Sequence, residues 1–261
     1  MTPVAPPVVA PAPLPPATAE GLRRIVAFNW PKLVVAGASS VGGVVIALLT
    51  PSPALALLAL AGAALALYGM VAALAVSWWV YDRSDLHEWR WLAPLLPEGA
   101  GRWVLVHAGF DESGPGLPAA LGGPAAAVVD LSPWLPDPAP SLRRARRRHP
   151  APATATAGTA ALPLDDAACD TVLLVFAAHE VRDRERRDRL FAELHRVVRP
   201  GGRVVLVEHL RDGPNFVAFG PGALHFQGRR TWLDAAGRAG LVLAGETTKT
   251  CFVRGLALCP T

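Results

Sequence analysis

Leu162-Pro-Leu-Asp-Asp-Ala-Ala-Cys-Asp170 runs directly into Thr171-Val-Leu-Leu-Val-Phe-Ala-Ala-His-Glu180; after a charged interval comes Arg199-Pro-Gly-Gly-Arg-Val-Val-Leu-Val-Glu-His209. The apolar runs in this stretch are too short for a buried helix. Between them, the segment from Asp183 to Arg199 places Leu190, Leu194 and Val197/Val198 on one face at helical spacing. Asp183 suits its N-cap, Glu185 its first turn, and Pro200-Gly201-Gly202 its stop. Strand, helix, stop and strand make a βαβ unit, which demands a parallel sheet.

Working outward, the same alternation continues. Arg102–Ala108 reads as a buried strand, Gly109–Gly114 as a turn, Pro118–Leu121 as a short helical segment, and Ala125–Asp130 as a strand ending on a carboxylate. A proline-rich loop leads to a basic helix, Ser141–His149. Beyond the central stretch come a helix over Thr231–Gly240 and strands over Leu241–Thr247 and Thr250–Leu258. The expected class is α/β, a Rossmann-like doubly wound sheet. Ligands of such sheets collect at the carboxyl ends of the strands. Here those ends are Gly109–Ser113, Asp130, Ala160–Leu162, Phe176–Glu180 and Glu208–Leu210. Asp130 follows the first turn at a spacing that suits a carboxylate accepting hydrogen bonds from ribose hydroxyls.

The N-terminal part has a different composition. Residues 1–20, almost wholly Pro, Ala and Val, are expected to be a disordered tail, because proline at that density denies the backbone its ladders. Leu33 through Tyr81 contains no charged residue, and Thr50-Pro-Ser-Pro53 divides the run into two segments. Each approaches or exceeds the ~20 residues needed to cross a bilayer. Residues 21–82 are therefore expected to form a two-span membrane hairpin. Trp30, Trp78, Trp79 and Tyr81 would form its aromatic belt; Gly37, Gly42, Gly43, Gly62 and Gly69 would let the helices approach. Arg23, Arg24 and Lys32 before the first span and Arg83 and Arg90 after the second put both termini and the following domain in the cytoplasm. Residues 83–101 are expected to form a juxtamembrane linker helix capped by Ser84 or Asp85. It would either pack Leu86, Trp89, Leu92 and Leu95 on the domain or lie at headgroup level through Trp89 and Trp91. The domain proper would be 102–261.

Composition excludes some partners. In 261 residues, 52% are apolar and the net charge is only +4, without aromatics interleaved among basic residues, so no nucleic-acid partner is expected. Three cysteines without a CxxC pair argue against a disulfide framework or a zinc site, and no metal is expected.

The runs LPLDDAACDTVLLVFAAHEV (162–181), ELHRVVRPGG (193–202) and RVVLVEH (203–209) resemble the middle motifs of class I S-adenosylmethionine-dependent methyltransferases. The similarity is closest to the branch acting on small molecules, quinones and lipids, and covers the domain from about Arg102 to Leu258. It implies a seven-stranded sheet with the last strand antiparallel, and S-adenosylmethionine as cofactor. Asp130 would hold the ribose, Ala160 and Ala161 would approach the adenine, and Phe176, Ala177 and Ala178 would line the methionine side. His179 would face the acceptor. The first turn departs from the family's acidic residue followed by Gly-x-Gly-x-Gly: His107 stands in the acidic position and Gly109, Asp111 and Ser113 in the glycine positions. Asp111 or Glu112 would then bind the cofactor's ammonium group.

An acceptor that must lose a proton needs a base. Among His179, Glu180, Glu208 and His209, the two histidines are the expected catalytic residues because imidazole titrates near neutrality. Asn215–Gln227, rich in Phe and Gly, reads as an apolar flap over the acceptor. The arginines of 143–148 read either as a solvated helix face or as a patch for anionic lipid. The expected function is a membrane-anchored methyltransferase with a small lipophilic acceptor; the alternative is a non-catalytic membrane interaction module with an eroded cofactor turn. The acceptor's identity and the oligomeric state are left open.

Overall fold

A computed structural model describes residues 19–261 other than Pro97, Pro115 and Thr159, so the expected tail lies, up to residue 18, outside the described residues. Two long antiparallel helices come first, α1 (Glu20–Leu49) and α2 (Pro53–Trp78). Ser52 caps α2, accepting from the Leu55 amide, and Pro53 takes the first-turn position where its missing N–H costs nothing. The helices meet through small residues: a Cβ on Gly43 would lie 2.7 Å from the Ala59 carbonyl. Both are long and apolar enough to cross a membrane. Leu48, Leu49, Leu57, Leu58 and Leu65 point outward with nothing against them.

The remaining chain forms β1 (Trp103–His107), α3 (Gly116–Ala120), β2 (Ala127–Asp130), α4 (Pro140–Arg148), β3 (Ala155–Thr156), β4 (Cys169–Val175), α5 (Arg184–Val197), β5 (Val198–His209), α6 (Gly213–Phe219), α7 (Arg229–Arg238), β6 (Leu241–Lys249) and β7 (Val253–Pro260). One seven-stranded sheet has the order β3-β2-β1-β4-β5-β7-β6. Strands β1 to β5 are mutually parallel, and β7 runs antiparallel to both neighbours. This is the expected doubly wound methyltransferase-type sheet.

The central βαβ unit forms as its pattern demands. Asp183 accepts from the Arg186 amide at 2.9 Å, and Leu190, Phe191, Leu194 and Val197 are buried against the sheet. The Pro-Gly-Gly stop acts within β5. Cys169 pairs with Val198 and Thr171 with Arg203, so Arg199–Gly202 bulge out between two paired stretches of one strand.

The two sheet faces are covered differently. On one, α5 and α7 supply Leu190, Phe191 and the stacked Trp232. On the other, much of the cover comes from Leu86, Trp89, Leu92 and Leu95 of the linker, with Leu117 from α3. The expected single linker helix does not form. A widened turn at Trp79–Arg83 is followed by two short 3-10 stretches, Leu86–Glu88 and Arg90–Leu95. They are separated at Trp89, whose φ of 57° is left-handed. That break turns Trp89 inward: its ring is buried and its Nε1 donates to the Ser113 carbonyl at 2.8 Å. A large indole seated in the core outweighs the modest cost of a left-handed residue. Trp89 therefore packs on the domain and is not available to a membrane interface.

The hairpin is tied to the domain at its base. Both oxygens of the buried Asp82 carboxylate accept backbone N–H groups at the start of α1, from Gly21 and Leu22, each at 2.8 Å. A carboxylate there satisfies orphan amides and meets the positive end of the helix. Residue 21 must be glycine for this approach, since a Cβ would lie 2.5 Å from that of Tyr81.

Candidate active site

The carboxyl ends of β1, β2 and β4 lie side by side, because β1 pairs with both β2 and β4. At this switch point the chain turns outward in opposite directions, and a doubly wound sheet opens a crevice. The end of β5 adjoins β4, bringing Glu208 and His209 to the same rim.

The rim formed by the ends of β4 and β5 is densely paired. Past β4, Phe176 has a left-handed φ of 48° while its amide donates to the Val207 carbonyl at 2.8 Å. Non-glycine residues hold such geometry only where the surroundings fix it. The turn delivers the buried Ala177, Ala178 and His179 to the rim. One oxygen of Glu208 accepts the amides of Ala178 (2.8 Å) and His179 (3.2 Å); the other lies 2.6 Å from His179 Nδ1. That leaves His179 Nε2 facing the Glu180 carboxylate at 3.5 Å. Burial opposes a charge on His179, but the carboxylates of Glu208 and Glu180 outweigh it and hold the imidazole well above its ordinary pKa. Burial likewise opposes charge on Glu180, yet His179 and His225 keep its carboxyl well below the ordinary range. An imidazole oriented by one carboxylate is the base-and-orienter arrangement of nucleophile-activating sites, and here its other nitrogen faces Glu180.

His209 is wired differently. Its Nδ1 lies 2.8 Å from the Phe252 carbonyl, which can only accept, so Nδ1 carries the proton. Nε2 then accepts from the Tyr81 hydroxyl at 2.9 Å. The ring is stacked between Phe176 and Phe226, with centroids at 5.0 and 5.1 Å. Burial pushes His209 down to about 4, so it is neutral and both nitrogens are committed. This geometry makes it an anchor for Tyr81 and two aromatic rings. Sequence reasoning placed Tyr81 in the aromatic belt; instead it leaves the hairpin and enters the site. Nothing in the pattern distinguishes it from the adjacent tryptophans, because the turn that redirects it depends on Asp82 gripping α1.

The rim at the ends of β1 and β2, expected to hold the cofactor, is less complete. His107 and Gly109 stand where expected: Gly109 has φ 79°, its amide donates to His107 Nδ1 at 2.9 Å, and His107 Nδ1 is 3.9 Å from Asp130. A Cβ on Gly109 would meet Ser132 Oγ and Arg146 Nε at 2.5 and 2.7 Å, so only glycine fits. Asp111 and Ser113 close on each other, Asp111 Oδ1 accepting from the Ser113 amide (2.8 Å) and hydroxyl (2.6 Å). Asp130 Oδ1 is taken in the same way by Ser132. Ala160 and Ala161 lie on an exposed turn. At Glu112, burial pushes the carboxyl up to about 8, with repulsion from Glu208 and Glu180 adding to this and His179 opposing it.

Two arginines of the basic run also turn inward, which corrects the solvated-face reading. Arg144 Nε donates to the Phe28 carbonyl of α1 (2.6 Å) and Arg146 Nε to the Ala108 carbonyl (2.7 Å). Arg146 Nη2 is buried with no hydrogen-bond partner. Although no metal is expected, His179, Glu180 and His225 bring ligand-type atoms within 4.8 Å of one another. Arg182 already contacts the His225 ring, and a guanidinium there disfavours a further cation.

Residues 125–206 match a family model described as a methyltransferase domain. No curated protein matches the chain by sequence. Among solved structures, an S-adenosylmethionine-dependent methyltransferase from Aquifex aeolicus shares 15% identity at a TM-score of 0.51, the match covering 70% of this chain and 95% of that one. One from Mesorhizobium loti shares 22% at a TM-score of 0.42, covering 66% and 97%. The mitomycin 7-O-methyltransferase shares 13% at a TM-score of 0.49, covering 93% and 73%. At these identities the likeness is one of fold, and it agrees with the matched segment, which spans β2 to β5. Residues 125–206 thus match a methyltransferase domain, on a sheet of the fold seen in a solved S-adenosylmethionine-dependent methyltransferase.

Proposed function

We propose that this protein is a membrane-anchored methyltransferase that moves a methyl group from S-adenosylmethionine to a small lipophilic acceptor at the cytoplasmic face. In this reading residues 21–82 are the anchor, 102–261 the catalytic domain, and both termini are cytoplasmic. One observation carries the link between membrane and chemistry: Tyr81, at the base of the hairpin, hydrogen-bonds His209 on the rim that also holds His179 and Glu208.

The residues present fit the cofactor. Asp130 has one oxygen committed to Ser132 and the other left for ribose hydroxyls. The unpaired Nη2 of Arg146, buried beside Gly109, suits the α-carboxylate. Glu112, kept from ionising by burial, suits an ammonium or sulfonium charge, which would restore its ionisation. When bound, S-adenosylmethionine supplies an electrophilic methyl group. His107 and Gly109 shape the turn, Phe176 and the two alanines after it exclude water, and Ala160 and Ala161 border the adenine. His179 Nε2 takes the acceptor's proton while Glu208 holds Nδ1. Positioning is the largest contribution such a site makes, up to ~7–11 kcal/mol.

Radiolabelled methyl transfer by the full chain in nanodiscs tests this. Label entering the lipid-soluble fraction is expected; efficient transfer only to water-soluble acceptors would overturn the lipophilic part. The closed Asp111–Ser113 turn and Arg146 lying against Gly109 favour a second reading, a non-catalytic module, which failure to bind S-adenosylmethionine would establish.

A further inference from the structure

We infer that α6 and the turn after it, residues 213–225, lie in the headgroup and outer hydrocarbon layer of the bilayer that the hairpin crosses, and form the lipid-side wall of the acceptor site. The inference rests on the membrane reading above and adds to it a second contact with lipid, a path for the acceptor.

The surface of this segment is wrong for water. Among the described residues from 102 onward, five large apolar side chains are exposed, and three belong here: Phe216 (51%), Val217 (63%) and Leu224 (61%). The other two, Val242 and Leu243, lie on the edge strand β6. Scattered exposed apolar residues need no explanation, but a cluster on one short element marks a contact surface.

Its position names the partner. Tyr68 of α2 donates its hydroxyl to the Val217 carbonyl at 3.1 Å, so α6 is held against the side of the hairpin, well above its base. From Pro53 to Tyr68 the helix rises about 22 Å at about 1.5 Å per residue. The hydrocarbon core is about 30 Å thick. If the turn at Thr50–Ser52 reaches the far edge of that core, the near edge falls some 5–10 Å past Tyr68, towards Trp78. That distance matches the depth to which an interfacial helix sinks its apolar face, about 5–10 Å. The exposed Trp30, Trp78 and Trp79 then sit at the near headgroups. The hairpin cannot span a bilayer of ordinary thickness without immersing α6.

The other side of the segment faces the chemistry. Phe219 packs edge-on against His209 (5.8 Å between centroids), His225 against His179 (5.2 Å), and Phe226 stacks on His209. Asp212 caps α6 by accepting from the Asn215 amide at 3.1 Å, while Asn215 Nδ2 donates to the Phe252 carbonyl, also at 3.1 Å. One layer of side chains thus separates lipid from His179. An apolar acceptor can reach the histidine from the bilayer without crossing water, its release from lipid compensated by Phe219 and Phe226.

Nitroxide depth measurement on the full chain in phosphatidylcholine/phosphatidylglycerol vesicles tests this, with the exposed Cys251 and the partly exposed Cys259 replaced by serine. Labels go on Val217→Cys and, as references, on Leu65→Cys in the hairpin and Arg147→Cys on the domain. The expected result is Leu65 deep, Val217 shallow but oxygen-accessible and shielded from a water-soluble nickel complex, and Arg147 fully nickel-accessible. Leu65 in lipid with Val217 as nickel-accessible as Arg147 would overturn the inference and leave the anchor standing. Leu65 in water would remove the membrane reading and this inference together.

Discussion

The two halves of the site are built on different terms. On the acceptor side, Glu208 with His179 and His209 with Tyr81 form two hydrogen-bonded pairs, and the His209 ring is packed between Phe176 and Phe226. On the cofactor side, Arg146 leaves a buried nitrogen unpaired and Glu112 is held largely un-ionised by burial. A paired network is rigid before any ligand arrives, whereas unmet buried charges cost free energy until a ligand meets them. The difference suggests a preformed acceptor wall and a cofactor half completed by a zwitterionic, cationic ligand. It also suggests why the turn tolerates Asp111 and Ser113 in place of glycines. They close the turn by bonding to each other, and in the proposed reading Glu112 and Arg146 would supply the charges.

The comparison breaks most sharply at His179. Replacing it with alanine is expected to lower kcat by ~10²–10⁴, the usual worth of a positioned base, with S-adenosylmethionine affinity unchanged. Single-turnover rates and equilibrium binding on the same preparation separate the two quantities, and equal loss of both would merge the halves that the geometry keeps apart. Glu208→Ala is expected to act on stability as well. It leaves the His179 ring and two amides in the interior without their acceptor, at a cost of about 3–5 kcal/mol, readable as a large drop in Tm.

The pH dependence follows from the direction of the His179 shift. An imidazole held above its ordinary value of about 6.5 stays protonated near neutrality, so the base form, and kcat with it, should rise as pH increases past that point. Glu208→Gln removes the larger of the two charges that raise it and should move the inflection downward; a profile unchanged by that substitution would mean another group is the base. For stability the sign is opposite. A pKa raised on folding stabilises fully below the unfolded value and is lost as pH rises through the folded one. The smallest effect belongs to Tyr81→Phe, which deletes one hydrogen bond to His209 at about 1 kcal/mol. A modest drop in Tm and a several-fold change in KM for a bilayer acceptor are expected, with cofactor affinity untouched.

How much the sequence disclosed depends on whether a feature is periodic. The βαβ unit, the doubly wound class and the hairpin's two helices follow from patterns of apolar residues, which survive any detail of packing, whereas the seven strands with the last antiparallel follow only from the family resemblance. His179 and His209 were placed at the right strand ends because a strand's end is fixed by its run. Their partners were harder. Glu208 was visible only as one of four candidate bases, and its three hydrogen bonds require knowing that β4 and β5 are neighbours. Tyr81 sat among tryptophans that have a good reason to be at a membrane. Arg144 and Arg146 were hidden in a basic run whose other members do not face inward. Trp89 broke a helix that its neighbours' spacing favours, because a buried indole gains more than a continued turn does. In each case a long-range contact decided the outcome, and local pattern carries no record of it.

The central claim is that the atypical turn still serves a methyltransferase, and equilibrium binding of S-adenosylmethionine to the full chain in nanodiscs tests it most directly. Binding is expected, weakened by Asp130→Ala through the loss of charged hydrogen bonds worth about 1.5–3 kcal/mol, roughly 10- to 100-fold in affinity. No binding by the unsubstituted protein, or binding indifferent to Asp130, would contradict it.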